Sequence, residues 1–144
     1  MNDFWQLAIA AGADFIHLGQ EDLADADIEA IKGAGLKLGV STHSHEELDV
    51  ALSVNPDYIA LGPVYETLLK KMPWKPQGLE RVSDWKQKTG DLPLVGIAGI
   101  TIDRADGVLA AGAQSVAVIT DFFVHAEPER RIEQWLAWAK GHRN

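Results

Sequence analysis

The chain has 144 residues, 47% hydrophobic and 24% charged, the length and balance of a single domain, 1–144, and not those of a disordered or fibrous segment. Its net charge of −8 opposes binding to phosphate backbones, which needs clustered Lys and Arg, so nucleic acid is not an expected partner. Cysteine is absent, which excludes a disulfide framework and a thiolate metal site; the start carries no basic-then-apolar leader pattern and no apolar run nears the roughly 20 residues of a membrane span, so the expectation is a cytoplasmic protein with no membrane partner.

In chain order, residues 4–11 have helical period, with Phe4, Leu7, Ala8 and Ala11 on the expected inner face, and Gly12 follows. Phe15 to Gly19 is the first of five short apolar runs; the others are Leu36 to Ser41, Tyr58 to Gly62, Leu94 to Gly99 and Ser115 to Thr120. Being apolar on consecutive residues and rich in Val, Ile and Leu, they read as parallel strands. Between them lie helical segments. Asp27 begins one with Ile28 and Ile31, Ser44 caps one with Leu48, Ala51 and Leu52, and residues 79–88 form another. Thr101 or Asp103 caps a helix through Ala111, and Glu127 to Lys140 closes the chain with Ile132, Leu136 and Ala139 facing inward. Gly12, Gly33 with Gly35, and Gly112 stand between a helix and a strand, where a left-handed C-cap is common. Alternating strands and helices with short connections predict parallel βα units, closed in a barrel or opened in a doubly wound sheet. The one long connection, residues 62–77, has the length that is usually functional.

Polar residues gather where the strands end: Gln20, Glu21 and Asp22, then Ser41-Thr42-His43, then Thr67 to Lys71, then Gly99, then Thr120. Ser41 or Thr42 alone could simply cap a helix, and Asp22 or Lys70-Lys71 could simply be solvated. The same end is polar five times over, and that end is where parallel α/β folds build their sites. Asn2-Asp3 and Gln20-Glu21-Asp22 offer hard oxygen ligands of the kind Mg²⁺ takes alongside substrate phosphates. A lysine on the long connection suits a departing diphosphate, and Gly99 lets backbone approach a phosphate. His43 and His45, two apart at a helix start, point away from each other and do not form a metal pair. His17, inside an apolar strand, reads as a core or barrel-lining residue.

Taken together, Asn2-Asp3, His17-Leu18-Gly19-Gln20-Glu21-Asp22-Leu23, Gly39-Val40-Ser41-Thr42-His43, Ala60 to Tyr65, Lys70-Lys71, Pro76-Gln77-Gly78-Leu79 and Gly96 to Ile100 resemble the thiamine phosphate synthase family along nearly the whole chain. The resemblance implies a (β/α)₈ barrel transferase that joins hydroxymethylpyrimidine diphosphate to thiazole phosphate, in which Asp3 and Asp22 bind Mg²⁺. It implies that Asn2, Ser41 and Lys70 contact the pyrimidine diphosphate, Ser41 and Lys70 serving catalysis, and that Thr67, Leu68, Leu69, Gly99, Ile119 and Thr120 hold the thiazole phosphate. Three features depart from the family pattern. Leu69 replaces a hydroxyl residue of the usual Thr-x-Thr-Lys, Ala98-Gly99 and Thr120 replace Gly-Gly and Ser, and no counterpart of the Gln-x-Arg-x-Lys segment after the second strand is present.

The strands therefore number four to eight of the family's barrel, and the expected fold is a partial (β/α)₈ TIM barrel of about five βα units. Such a piece leaves edges that a closed barrel lacks. The expected consequences are a homo-oligomer, a complementing N-terminal fragment, or rearrangement into an open sheet with helices on both faces. A second functional reading is a non-catalytic, phosphate-binding or self-associating half-barrel module.

Overall fold

The β-branched and Leu-rich runs become strands, and the amphipathic segments between them become the helices that cover one side. The computed structural model describes residues 1–67 and 74–142. The elements are α1 (Trp5–Ala10), β1 (Phe15–Leu18), α2 (Gln20–Asp25), α3 (Ile28–Gly33), β2 (Lys37–Thr42), α4 (His45–Ser53), β3 (Tyr58–Leu61), α5 (Gly78–Thr89), β4 (Leu94–Ile97), α6 (Ile102–Ala110), β5 (Ser115–Ala117), α7 (Thr120–Phe123) and α8 (Pro128–Gly141). The five strands form one parallel sheet in the order β1-β2-β3-β4-β5. Successive right-handed crossovers that step in one direction place every helix on the same side, as in a barrel, whereas a doubly wound sheet reverses its strand order partway. The partial barrel is what forms, and not the rearranged open sheet.

Strand alternation then separates two faces. Ile16, Leu18, Leu38, Val40, Ile59, Leu61 and Leu94 point to the helices and are fully buried. His17, Ser41, Tyr58, Val95 and Ile97 point the other way and are half-buried. Trp85 of α5 anchors the helix layer: it is fully buried, and its indole N–H donates to Thr42 Oγ1 at 2.8 Å while that hydroxyl donates to the Ala60 carbonyl at 2.9 Å. The buried hydroxyl is satisfied on both sides, which removes the cost of placing it in the core.

Several helix caps follow the sequence. Asp27 accepts from the Ala30 N–H and Ser44 from the Glu47 N–H, and Gly12, Gly35 and Gly112 take positive φ while Gly33 remains inside α3. Two inner faces differ from expectation. In α1 it is Trp5, Ala8 and Ile9 that pack on the core, leaving Phe4 67% and Leu7 56% exposed. In α8 the docked residues are Arg131, Trp135 and Trp138, and Ile132 and Leu136 face outward. The reason lies in specific partners: Trp135 and Trp138 donate their N–H groups to Asp121 and Asp106, which sets the rotation of the helix.

Both sheet edges are visible. Next to β1, Asn2 bridges His17 in parallel register, with His17 N–H donating to Met1 O at 3.0 Å and Asp3 N–H to His17 O at 2.9 Å. At the far edge β5 leaves Ser115 and Ala117 exposed, beside outward-facing Ile119, Phe123 and Val124. No helix among the described residues is long and apolar enough to cross a membrane.

Candidate functional site

The C-terminal ends of the strands carry two connected groups of residues. In the first, Asp3 and Asp22 meet. The Asn2-Asp3 segment is held by the backbone bonds to β1, while Asp22 comes from the first turn of α2, a short helix that starts directly after β1 and that the sequence reading did not name. Asp3 has a raised pKa, through burial first and then through the charge of Asp22 and a hydrogen bond shared with it. Asn2 Nδ2 donates to Asp3 Oδ2 at 2.5 Å. Neither carboxylate has a Lys or Arg ion-pair partner among the described residues. Two carboxylates that repel each other and lack a protein cation suit a divalent ion. The described residues supply no cluster of three or more His, Asp or Glu, so most of the ion's shell would come from water and substrate, as Mg²⁺ requires and zinc does not.

The second group is a polar triad on the concave face. His17 Nε2 lies 2.8 Å from Ser41 Oγ and His17 Nδ1 lies 2.8 Å from the Tyr58 hydroxyl, with the His17 and Tyr58 rings stacked at 5.6 Å. Burial lowers the His17 pKa, against the opposing charge of Asp3, and burial raises that of Tyr58. Gln20 Nε2 donates to the Ser41 carbonyl at 2.7 Å and fixes the end of β2. His17 is thus barrel-lining, as its place in the strand implied.

A cavity of about 700 Å³ opens beside this triad. Val95, Ile97, Ala117 and Val118 give it an apolar floor, and Asn2, Thr67, Gly99, Ile119 and Thr120 stand around it. Five sequence-selected residues therefore share one space, with Asp3 and Asp22 joined to it through Asn2 and Ser41 through His17. Leu68, Leu69 and Lys70 lie outside the described residues. Gly99 has φ +68°, and a Cβ there would collide with the carbonyls of Tyr65 and Glu66. Its missing side chain therefore admits the β3–α5 connection, which bonds to the end of β4 through Val64 N–H to Ile97 O and Tyr65 N–H to Ala98 O.

His43 and His45 serve the α4 start separately. His43 bonds Glu47 and stacks on Trp74, whereas His45 bonds Arg81 and lies 3.5 Å from Asp84. Sequence reading missed Tyr58, Arg104 and Asp121. Arg104 donates to Gly99 O at 2.9 Å and lies over the Tyr65 ring, and Asp121 accepts from Arg131 and Trp135. Burial opposes ionisation of Asp121, yet the bonds from Arg131 and Trp135 and the charge of Arg131 hold its pKa below the usual value. A large residue one strand away from Gly39 was the available signal for Tyr58; Asp121 and Arg131 gave none.

The chain is similar to proteins of one family. The family model for thiamine monophosphate synthase matches residues 1–122. The thiamine-phosphate synthase of Rhizobium etli is 58% identical over 137 residues, which are 95% of this chain and 67% of that protein, and that of Klebsiella pneumoniae is 50% identical over 139 residues, 96% and 66% respectively. The chain spans about two thirds of the length of these curated relatives. Among solved structures, a thiamine phosphate pyrophosphorylase from Pyrococcus furiosus superposes with TM-score 0.81 at 28% identity, covering 99% of this chain and 67% of that one. A 3-hexulose-6-phosphate synthase, at 16% identity and TM-score 0.66 over 91% of this chain and 64% of that one, shares the fold alone. With five parallel strands in barrel order, a family match over most of its length and relatives at 50% identity and above, the chain belongs to the thiamine monophosphate synthase family.

Proposed function

We propose that the chain is a thiamine phosphate synthase-like transferase, joining hydroxymethylpyrimidine diphosphate to thiazole phosphate with release of diphosphate. The observation that carries this reading is the Asp3–Asp22 pair, without a Lys or Arg ion-pair partner among the described residues and joined through Asn2 to the 700 Å³ cavity. Asp3 and Asp22 would hold Mg²⁺, which when bound offsets the negative charge gathering on the leaving diphosphate. Asn2, Ser41 and Lys70 contact that diphosphate, Ser41 and Lys70 being the catalytic residues. Thr67, Leu68, Leu69, Gly99, Ile119 and Thr120 hold the thiazole phosphate.

The reaction breaks the C–O bond between the pyrimidine methylene and the diphosphate, whose oxygen keeps the electron pair. The thiazole nitrogen then forms a C–N bond to the methylene cation. No side-chain nucleophile or strong base is needed. The protein's tasks are to donate to the departing oxygens and to hold the nitrogen in line, and Ser41, the strand-end backbone and the apolar floor of Val95 and Ile97 suit them. Charged substrates of this kind do not cross bilayers unaided, so the reading places the protein in the cytoplasm, with residues 1–144 acting as one domain.

The exposed apolar residues of α1, α7 and α8 favour covered edges in the working protein, either by a second copy or by a complementing N-terminal segment. They also favour the second reading, a phosphate-binding, self-associating half-barrel without turnover. Incubation with both substrates and Mg²⁺ tests the proposal, with thiamine phosphate as the expected product, alone or after addition of a fragment spanning the first three strands of a relative. Binding of diphosphate without product under both conditions would leave the second reading standing. A cooperative monomer in dilute solution by light scattering argues against covered edges.

A further inference from the structure

His17, Gly39 and Tyr58 are register partners on three adjacent strands, so they form one row across the concave face. Gly39 has no side chain, and a Cβ at that position would fall inside the Tyr58 ring. The ring therefore lies across the β2 backbone, and a residue of β3 reaches one of β1. Ser41 follows two residues further along β2, on the same face, and bonds the opposite imidazole nitrogen.

A neutral imidazole has one donor and one acceptor, so only two proton arrangements are available to this row. If Nδ1 carried the proton it would donate to the Tyr58 oxygen, and the phenol O–H would need a second acceptor, for which no bond exists among the described residues. Nε2 would then accept from Ser41 and consume its only proton, turning lone pairs toward any anion. The other arrangement leaves over the Ser41 proton instead of the Tyr58 proton, and Ser41 is the hydroxyl read as an anion contact. We propose that Tyr58 is a positioning residue whose hydroxyl donates to His17 Nδ1, so that Nε2–H donates to Ser41 Oγ and the Ser41 O–H is free to donate to an anionic ligand. This deepens the reading of Ser41 as a diphosphate contact and rests on that reading for the identity of the ligand.

The test uses the full chain labelled with ¹⁵N-histidine, with the His17 signals assigned by loss in His17→Gln. Long-range proton–nitrogen spectra should show Nε2 protonated and Nδ1 bare, and Tyr58→Phe should move His17 toward a mixture of tautomers. Gly39→Ala, which displaces the ring but keeps every polar group, should do the same, so the outcome does not depend on one variant folding well. A protonated Nδ1 in the parent protein, or an unchanged spectrum in Tyr58→Phe, overturns the relay. A second readout is calorimetric binding of inorganic diphosphate with Mg²⁺. Tyr58→Phe should weaken it roughly threefold to tenfold when Ser41 is present and not further in Ser41→Ala, because the effect passes through that hydroxyl. Equal weakening in both backgrounds also overturns the relay. If the parent protein binds no diphosphate, the proposed function fails, and the nitrogen spectra still decide the relay.

Discussion

Along β1 to β3 the concave face is polar and bonded across strands, with His17 joined to Ser41 and Tyr58, whereas along β4 and β5 it presents Val95, Ile97 and Ala117 with no side-chain hydrogen bond between those two strands among the described residues. The first flank is backed by a fully buried layer under Trp85, and the second ends in a short strand with two of its three residues exposed. Charge on a departing group must be met by donors fixed in advance, which needs a rigid bonded wall; a ring needs volume and apolar contact, which a looser wall supplies.

The sharpest way to break this comparison is to hollow the rigid flank. Trp85→Ala should cost roughly 3–5 kcal/mol, since it removes a fully buried aromatic and the donor to Thr42. Chemical denaturation measures this, and a loss below that of a surface change would show that the flank is not anchored there. On the other flank, Asp121→Ala strands Arg131, whose side chain is only 15% exposed, and should cost about 2 kcal/mol.

The same pair predicts a pH dependence. Because the Asp121 pKa is lower in the folded state than its ordinary 3.8, its contribution is complete above that value and is lost as pH falls through the lower, folded value. Acid titration of thermal stability should therefore show a smaller loss below pH 4 in Asp121→Asn than in the parent.

Asp3→Asn separates folding from function at the rim. Removing one of two repelling carboxylates should leave stability without metal unchanged or raised, while Mg²⁺-dependent diphosphate binding weakens by about tenfold or more. Loss of both together would mean that the pair is structural. The smallest effect is expected at Leu136, 58% exposed on the outer face of α8, where Leu136→Ala should alter monomer stability by less than about 0.5 kcal/mol. A large drop in self-association with little change in unfolding would mark that face as covered in solution.

The strands were legible because each buried face is written as a local run of Val, Ile and Leu, and the helix starts at Asp27 and Ser44 because a cap is a local bond. The motifs at the strand ends singled out Asp3, Asp22 and Ser41 as candidates, and the fold brings the first two together and ties the third to His17. The faces of α1 and α8 were misread, because periodicity reports that a helix has an apolar stripe, while the stripe that docks depends on partners such as Asp121 and Asp106 that are distant in sequence.

By itself, then, the sequence determined the five strands, the helices between them apart from the short α2 and α7, the parallel class and the polar rim, all properties carried by neighbours a few residues apart. Only the tertiary structure decided that Gly39 makes room for Tyr58, that Tyr58 reaches His17 over an intervening strand, and that the carbonyls of Tyr65 and Glu66 fill the space beside Gly99. Those facts depend on strand register and on chain segments crossing in space, and register is set by the packing of the whole helix layer against the sheet and not by any local run of residues.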